Sequence, residues 1–411
     1  MLQKPRGTRD FLPAEMEARR AVECDLRDVA RRWGYREVST PAFEELELFT
    51  IRSGDGIIQE MYAFSDKGGR SLALRPEITA PVLRMFVNEG RVMPKPLRWY
   101  YFADCFRYER PQKGRYRQFW QFGVELIGAD TAMADAEVVI LAHDLLCAAG
   151  VSFEMRIGHL AITKHLLEGV QSADQKPIMG FLDKKDVVGL EHFLHGIGRQ
   201  DLFSSLISLR ECRDLSDVTA LIGRIPEQER LEEMFSLLEA AGVPYTLDAG
   251  IARGLDYYTG MVFEAFAEHL GAENQICGGG VYRLAHLFGG DDVPSAGFAI
   301  GFDRVMVARG ERPPVPDVVV AVASTREGRT RAIEVSRAFR SEGIRTELDI
   351  LDRGLSAQLA SAARSARYAV IIGKRETESG DVTIRDLSSG EQKCIPLRDA
   401  VSEVADRAAR R

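Results

Sequence analysis

Five basic residues fall within one short stretch of an acidic chain. The 411-residue sequence has a formal net charge of -7, so it is not a general binder of polyanions, and contact with a nucleic acid requires a local basic patch. The stretch "FRYERPQKGRYRQFWQFGVELIG" supplies such a patch with Arg107, Arg110, Lys113, Arg115 and Arg117. The planar fork of arginine matches phosphate oxygens. We therefore predict a grip on a small phosphate ligand, an RNA chain or both, with plain solvation as the alternative for Lys113.

The residues after this patch alternate in polarity with the period of a β-strand. The apolar positions share one face: Trp120, Phe122, Val124 and Leu126. That face predicts a strand seated on a core, while the other face carries Gln121, Gly123 and Glu125. Gly123 would let a ligand approach the sheet closely. The alternative is that this second face simply meets water.

A strand-to-helix junction, "LRPEIT", carries a second set of polar side chains. Arg75, Glu77 and Thr79 have the same parity in this segment. A carboxylate at this position would receive an ammonium group, or it would cap the start of the helix. The residues alone leave both interpretations open.

Two glycine-containing segments supply the remaining candidate site residues. "RGLDYYTG" sets Arg253, Tyr257 and Tyr258 between glycines, which suits a polar aromatic substrate or a tyrosine-rich hairpin turn. "CGGGVY", residues 277–282, predicts backbone packed closely against a ligand or another strand. Neither segment has the form of the common nucleotide-binding glycine loops.

Composition limits the class of protein. The chain is 45% hydrophobic and 28% charged, which with its length predicts two or three globular domains. We expect no membrane segment, because no apolar run approaches the roughly 20 residues that span a bilayer, and no secretory signal at the N-terminus. The six cysteines are scattered without a CxxC pair, which argues against a cysteine zinc site and fits a reducing cytoplasm.

The pattern of predicted secondary structure changes at "PPVP", residues 313–316, which we interpret as a linker. After it, strands alternate with helices over residues 317–411, which predicts a small α/β domain with a largely parallel sheet. Before it, residues 1–312 indicate an α+β domain with an antiparallel sheet. Helical sequence at about 162–242 predicts an insertion into that domain.

Together these segments resemble the class II aminoacyl-tRNA synthetases, and within them the histidyl-tRNA synthetase family. "TPAFE", "FRYERPQKGRYRQFWQFGVE" and "GFAIGFDRV" are similar to the three class motifs, and the first of these helps to build a dimer. "ARGLDYYTGMVFEAF" and "CGGGVYRLAHLFGG" resemble the two segments particular to the histidine enzymes. The second departs from many relatives at Val281-Tyr282-Arg283, which leaves the role of Tyr282 open. The resemblance covers essentially the whole chain.

The resemblance implies a fold and a reaction. The fold would be a class II catalytic domain with a helical insertion, followed by a C-terminal α/β anticodon-binding domain. The protein would activate L-histidine with ATP and Mg²⁺ to histidyl-adenylate, and then transfer histidine to the 3′ end of tRNA(His). It would act as a cytoplasmic homodimer.

The resemblance also implies roles for individual residues. Arg107 would grip the α-phosphate, and Arg253 would stabilise charge at the same centre. The ATP-binding set would be Arg107, Arg115, Phe119 and Arg304. The histidine-binding set would be Glu77, Ile78, Thr79, Gln121, Glu125, Arg253, Tyr257 and Tyr258. In that set Glu125 and Tyr258 would meet the two imidazole nitrogens, while Mg²⁺ would keep mostly phosphate and water ligands.

One alternative belongs to a different class of protein: the non-catalytic, histidine-binding regulator of ATP phosphoribosyltransferase. It shares the core fold, but it resembles the synthetases less at the arginines that grip ATP and lacks the C-terminal domain. Here Arg107, Arg253 and Arg304 are all in place, and a full α/β sequence follows the linker. These features favour the enzyme.

Overall fold

The computed structural model describes residues 2–53, 55–112, 114–183, 185–251, 258–268, 270, 274–310 and 319–409. The chain divides into two compact units, Met1–Arg312 and Pro313–Arg411. Several predicted features lie outside the described residues: Lys113, Arg253, Tyr257 and the linker at 313–316.

The first unit is organised around one large, mainly antiparallel sheet. Its strands are β1 (Arg36–Glu37), β2 (Phe43–Glu45), β3 (Ala63–Ser65), β4 (Ser71–Leu74), β5 (Leu97–Phe106), β6 (Gln118–Ile127), β7 (Glu154–His159), β8 (Thr246–Leu247), β9 (Tyr258–Phe266), β10 (Gln275–Tyr282) and β11 (Ser295–Gly301). In the described part of the chain, eight of them pair in the order β1-β5-β6-β11-β10-β9-β7-β8. The β1–β5 and β7–β8 pairs at the edges are parallel. Strands β2, β4 and β3 form a small separate sheet.

Helices cover this sheet and interrupt it. They are α1 (Pro13–Arg32), α2 (Glu47–Ser53), α3 (Thr79–Met85), α4 (Ala132–Ala148), α5 (Leu160–Leu166), α6 (Ser172–Asp183), α7 (Val187–Gly196), α8 (Asp201–Ser208), α9 (Leu215–Ile222), α10 (Gln228–Ala240) and α11 (Phe302–Arg309). Helices α5 to α10 lie between β7 and β8, in the stretch whose sequence predicts an insertion. No helix among the described residues combines the length and apolarity needed to cross a membrane.

The alternation of apolar and polar residues along β6 gives the strand the predicted buried apolar face. Phe122, Val124 and Leu126 are buried in the main core together with residues of α1, α4 and α10, and Trp120 packs against that core. Burying a large apolar side chain stabilises a fold by about 1.5–3 kcal/mol, so this face holds the strand in one register. The opposite face of β5 and β6 packs against α3 through a second core.

The inserted helices do not all behave alike. Helices α5 to α8 share a second cluster with β9, which includes Ile178, Leu194 and Val262. Helix α10 instead buries Leu231 and Leu238 in the main core. The last inserted helix is therefore part of the scaffold of the large sheet.

The second unit is an α/β fold with a mixed sheet. Its elements are β12 (Val319–Ser324), α12 (Arg329–Ser341), β13 (Arg345–Leu348), α13 (Leu355–Ala362), β14 (Tyr368–Ile372), α14 (Lys374–Ser379), β15 (Asp381–Asp386), β16 (Gln392–Pro396) and α15 (Leu397–Ala409). The order is β13-β12-β14-β15-β16. The β12 pairs are parallel, whereas β14–β15 and β15–β16 are antiparallel.

The expectation of a largely parallel sheet is therefore wrong for the last two strands. A parallel connection needs a crossover of a dozen or more residues. Only the short helix α14 separates β14 from β15, and a tight loop joins β15 to β16. The chain between these strands is too short for anything but antiparallel pairing.

Candidate active site

A cleft of about 400 Å³ opens beside the face of β6 that carries Gln121. The residues predicted from sequence that line it are Glu77, Thr79, Arg107, Arg115, Phe119, Gln121, Tyr258 and Arg304. The Ile78 side chain is buried in the core against α3, so only its backbone is available to a ligand. Residues remote in sequence thus meet in one cavity because β6 and its neighbours pair in this order.

Arg107 lies one residue beyond the end of β5. The segment remains fixed, since the Arg107 backbone N–H donates to the Arg117 carbonyl at 2.9 Å. The Arg107 Nε donates to the Pro76 carbonyl at 2.9 Å, and the guanidinium lies 5.1 Å from the Phe119 ring centroid. A charged fork is therefore held at the wall of the cleft, beside an aromatic ring.

Glu109 holds two of the cleft arginines, a role that the sequence did not reveal. Its Oε2 lies 3.2 Å from Arg115 Nη1, and its Oε1 lies 3.8 Å from Arg107 Nη1. Glu109 lines the cleft together with Arg107 and Arg115. An anionic ligand must therefore share or replace this contact, which charge-assisted bonds to phosphate favour.

Arg117 braces the basic loop. Its Nε donates to the Glu109 carbonyl at 3.2 Å, and its guanidinium lies 4.1 Å from the Tyr108 ring centroid. Its backbone N–H donates to the Gly7 carbonyl at 2.8 Å. At the tip of the loop, Gln112 and Arg115 exchange backbone hydrogen bonds. Arg117 therefore fixes the shape of the loop.

Arg304 faces the cleft from the first turn of α11, and its neighbour Asp303 anchors that turn. Asp303 is buried and accepts from Arg19 Nη1 at 2.7 Å and from the Trp120 backbone N–H at 2.8 Å. Arg304 Nη1 donates to the Gln275 carbonyl at 2.6 Å. These contacts place a third positive charge beside the basic loop, where a Cβ on Gly114 would lie 3.3 Å from Arg304 Cγ.

Glu77 caps the start of α3, which is one of the two alternatives that the sequence left open. Its carboxylate accepts from the backbone N–H groups of Thr79 at 2.6 Å and of Ala80 at 3.1 Å. The same carboxylate lines the cleft. Capping therefore fixes its orientation without removing it from the site.

Glu125 is buried beneath the cleft, so the alternative that its face of β6 meets water is wrong. The side chain accepts a hydrogen bond from Tyr282 Oη and a longer one, of 3.4 Å, from Tyr101 Oη. Burial raises the pKa of Glu125 to about 8, against the lowering effect of hydrogen bonds from Tyr282 and Thr79. Burial therefore favours the protonated form of this carboxyl group in the free protein.

Gly123 makes room for a protein side chain, and the prediction of a ligand above it is wrong. A Cβ at this position would collide with the Tyr101 ring, so Tyr101 fills the space and reaches Glu125. Gly297 has a related role, because a Cβ there would collide with the Glu125 carboxylate. The glycines in this part of the sheet create the space in which a buried acid and its tyrosine partners fit.

Tyr282, whose role the sequence left open, belongs to the same cluster. It is 157 positions from Glu125 in sequence, and its ring centroid lies 6.5 Å from that of Tyr258. The only sequence signal is the glycine run before it. Gly279 and Gly280 pack against neighbouring strands, which confirms one predicted use of that run, and Gly278 lines the cleft, so close approach of a ligand stays a prediction.

The antiparallel sheet and the arginine-lined cleft are those of a class II aminoacyl-tRNA synthetase. A histidyl-tRNA synthetase family model matches residues 7–305, and an anticodon-binding domain model matches residues 317–407. The chain belongs to the histidyl-tRNA synthetase family.

Individual relatives agree with this membership. The histidine–tRNA ligase of Methanoculleus marisnigri is 64% identical over 405 residues, which cover 98% of this chain and 99% of the relative. That of Methanoregula boonei is 62% identical over 410 residues, with full coverage of both chains. The crystal structure of the apo histidyl-tRNA synthetase of S. aureus is 27% identical, with a TM-score of 0.74 and coverage of 98% and 100%. These full-length ligase relatives do not favour the regulatory alternative.

Proposed function

We propose that the protein is a histidine–tRNA ligase that forms histidyl-adenylate in this cleft and passes histidine to tRNA(His). The observation that carries the proposal is that three arginines line one cavity whose lining residues Thr79 and Tyr258 also contact a buried acid–tyrosine cluster. Arg107, Arg115 and Arg304 suit a polyphosphate, while Glu125 and Tyr282 suit a small side chain with hydrogen-bonding nitrogens.

In the first step a carboxylate oxygen of histidine attacks the α-phosphorus of ATP, and pyrophosphate leaves. The nucleophile is already ionised, so the protein supplies alignment and positive charge. Arg107 holds the α-phosphate, Arg115 and Arg304 hold the outer phosphates, and Phe119 lies against the adenine. Arg253, assigned from the sequence alone, stabilises charge at the reacting centre. In the second step a tRNA 3′-terminal hydroxyl attacks the histidyl carbonyl, and AMP leaves.

Recognition of histidine divides between two ends of the amino acid. Glu77, Thr79 and the Ile78 backbone receive the α-amino group, and Gln121 binds the carboxylate end. Glu125 and Tyr258 address the imidazole nitrogens, with Tyr257 close by. A buried site that bonds both nitrogens rejects amino acids without them, since its polar groups would be left unpaired.

Mg²⁺ accompanies ATP in this proposal and is held mainly by phosphate and water oxygens. Among the described residues, no group of three or more His, Cys, Asp or Glu side chains could hold a metal ion. The cleft carboxylates already have protein partners: Glu77 caps α3, Glu109 contacts Arg115, and Asp303 contacts Arg19. This donor set fits an ion that arrives with its nucleotide and neutralises phosphate charge.

We further propose that the protein forms a homodimer through the small sheet, acts in the cytoplasm and reads the anticodon with residues 317–411. Phe43 and Phe64 on that sheet are about half exposed and lie 6.4 Å apart between ring centroids. Ile51 is also exposed, on α2, a helix that contacts β2, and a second copy would cover such apolar side chains. Sedimentation of the purified protein tests the dimer; a monomer at micromolar concentration contradicts it.

Aminoacylation tests the proposed function. The whole protein is incubated with ATP, Mg²⁺, tRNA and each labelled amino acid in turn. We expect acid-precipitable label with histidine alone, and its loss in Arg107→Ala. Intact histidine binding without any charging would instead support a regulatory protein.

A further inference from the structure

One buried cysteine contacts the polar face of β6. In the pairing of β5 with β6, Ala103 lies opposite Gln121 and Cys105 lies opposite Phe119. Cys105 is therefore a diagonal neighbour of Gln121 on the same face of the sheet. Its Sγ lies 3.3 Å from Gln121 Oε1, in the geometry of a thiol that donates to a carbonyl oxygen.

The environment keeps this thiol in its donating form. Cys105 has no exposed surface, and burial raises its pKa well above the ordinary value. A thiolate cannot donate, so a raised pKa preserves the S–H group over the neutral range. The same burial shields the Cys105 thiol from chemical modification.

The contact determines which end of the Gln121 amide meets a ligand. An amide offers an oxygen that accepts and a nitrogen that donates twice. Cys105 engages the oxygen, while Gln121 lines the cleft and its nitrogen has no partner within the ranges that the structure describes. The group presented to the cavity is therefore the donor.

We propose that Cys105 is a positioning residue that fixes the Gln121 amide with its N–H groups toward the substrate, so that the site selects an acceptor oxygen. That oxygen belongs to the amino-acid carboxylate before activation and to the acyl carbonyl afterwards. In the flipped amide the carbonyl oxygen would face the substrate oxygen and repel it. The inference rests on the proposed function, because it assigns the carboxylate end of histidine to Gln121.

The test compares variants at Cys105 that differ in their ability to donate. Cys105→Ala removes the donor, Cys105→Val removes it while filling the space, and Cys105→Ser keeps a donor. The control is Cys24→Ala, since Cys24 is an exposed cysteine on α1. Histidine-dependent ATP–pyrophosphate exchange gives KM for histidine and for ATP, and calorimetry gives the Kd for histidine.

We expect Cys105→Ala and Cys105→Val to raise KM and Kd for histidine roughly 2- to 10-fold, the value of one neutral hydrogen bond. KM for ATP should not change, and Cys105→Ser should restore histidine binding. In a Gln121→Ala background the loss of Cys105 should have no further effect, because the two residues act as one unit. Equal defects in the Ala and Ser variants, additive defects with Gln121→Ala, or unchanged histidine binding would each overturn the inference. Wild-type protein without exchange would instead refute the proposed function.

Discussion

Replacing Glu125 with glutamine should weaken histidine binding by an amount that depends on pH. If the ionised acid accepts an imidazole N–H, glutamine loses a charge-assisted bond of about 1.5–3 kcal/mol. The wild-type group must first ionise, and its pKa is raised to about 8 by burial. Ionisation costs roughly 1 kcal/mol at pH 7 and roughly 3 kcal/mol at pH 6, which offsets most of the gain at the lower pH.

The ratio of the variant Kd to the wild-type Kd should therefore rise from near one at pH 6 to about 10–150 at pH 9. Calorimetric titration with histidine across this range measures it, and taking the ratio cancels the titration of histidine itself. Glu229→Gln, at an exposed position on α10, should give a ratio of one throughout. A Glu125→Gln ratio that does not vary with pH would refute the ionised-acid account.

The pH dependence of the free energy of unfolding gives an independent test of the Glu125 titration. The folded protein keeps the Glu125 proton to a higher pH than the unfolded chain does, since the pKa moves from 4.5 to about 8. Relative to Glu125→Gln, the wild-type free energy of unfolding should therefore fall between these pH values, by roughly 1.4 kcal/mol per pH unit. Denaturant titrations of both proteins at pH 5 and pH 8 test the sign.

Three further perturbations follow from the contacts. Arg304→Ala should raise KM for ATP in the exchange assay by roughly 10- to 100-fold through lost charge-assisted bonds, with little change in histidine Kd; an unchanged KM for ATP contradicts its role. Gly297→Ala would bring a Cβ against both the Glu125 carboxylate and the Val124 backbone carbonyl and should weaken histidine binding at least about 10-fold; an unchanged Kd in calorimetry would contradict this. Arg75→Met removes a buried cation that bonds Asp104 and the Thr40 carbonyl, and should lower the free energy of unfolding by about 3–5 kcal/mol. Arg91→Met, at an exposed ion pair, should cost less than about 1 kcal/mol, and equal costs would contradict the argument.

The sequence pattern was sufficient to predict features that depend on a single strand or helix. The two faces of β6 follow from alternation alone, because a strand with one apolar face has one way to sit on a core. The junction of β4 with α3 follows from "LRPEIT" in the same way. The arginines that the resemblance predicts to bind phosphate, Arg107, Arg115 and Arg304, line one cavity in the structure.

Features that depend on packing between residues remote in sequence could not be predicted from the sequence. Tyr282 reaches Glu125 only because β10, β11 and β6 pair in a particular register, and no local signal encodes that register. Gly123 suggested an open surface, but Tyr101 of the neighbouring strand occupies it. The contact between Cys105 and Gln121 is of the same kind, a diagonal pair across two strands. Contacts between side chains on different strands therefore cannot be predicted from single segments of the sequence.

Pyrophosphate exchange tests the central claim most directly, because it isolates the chemistry proposed for the cleft from tRNA. The purified protein is mixed with ATP, Mg²⁺ and labelled pyrophosphate, with and without histidine, and Arg107→Ala is run beside it. The account predicts that label enters ATP only when histidine is present, and that the variant loses this exchange while still binding histidine. Wild-type protein that binds histidine but catalyses no exchange would contradict the account.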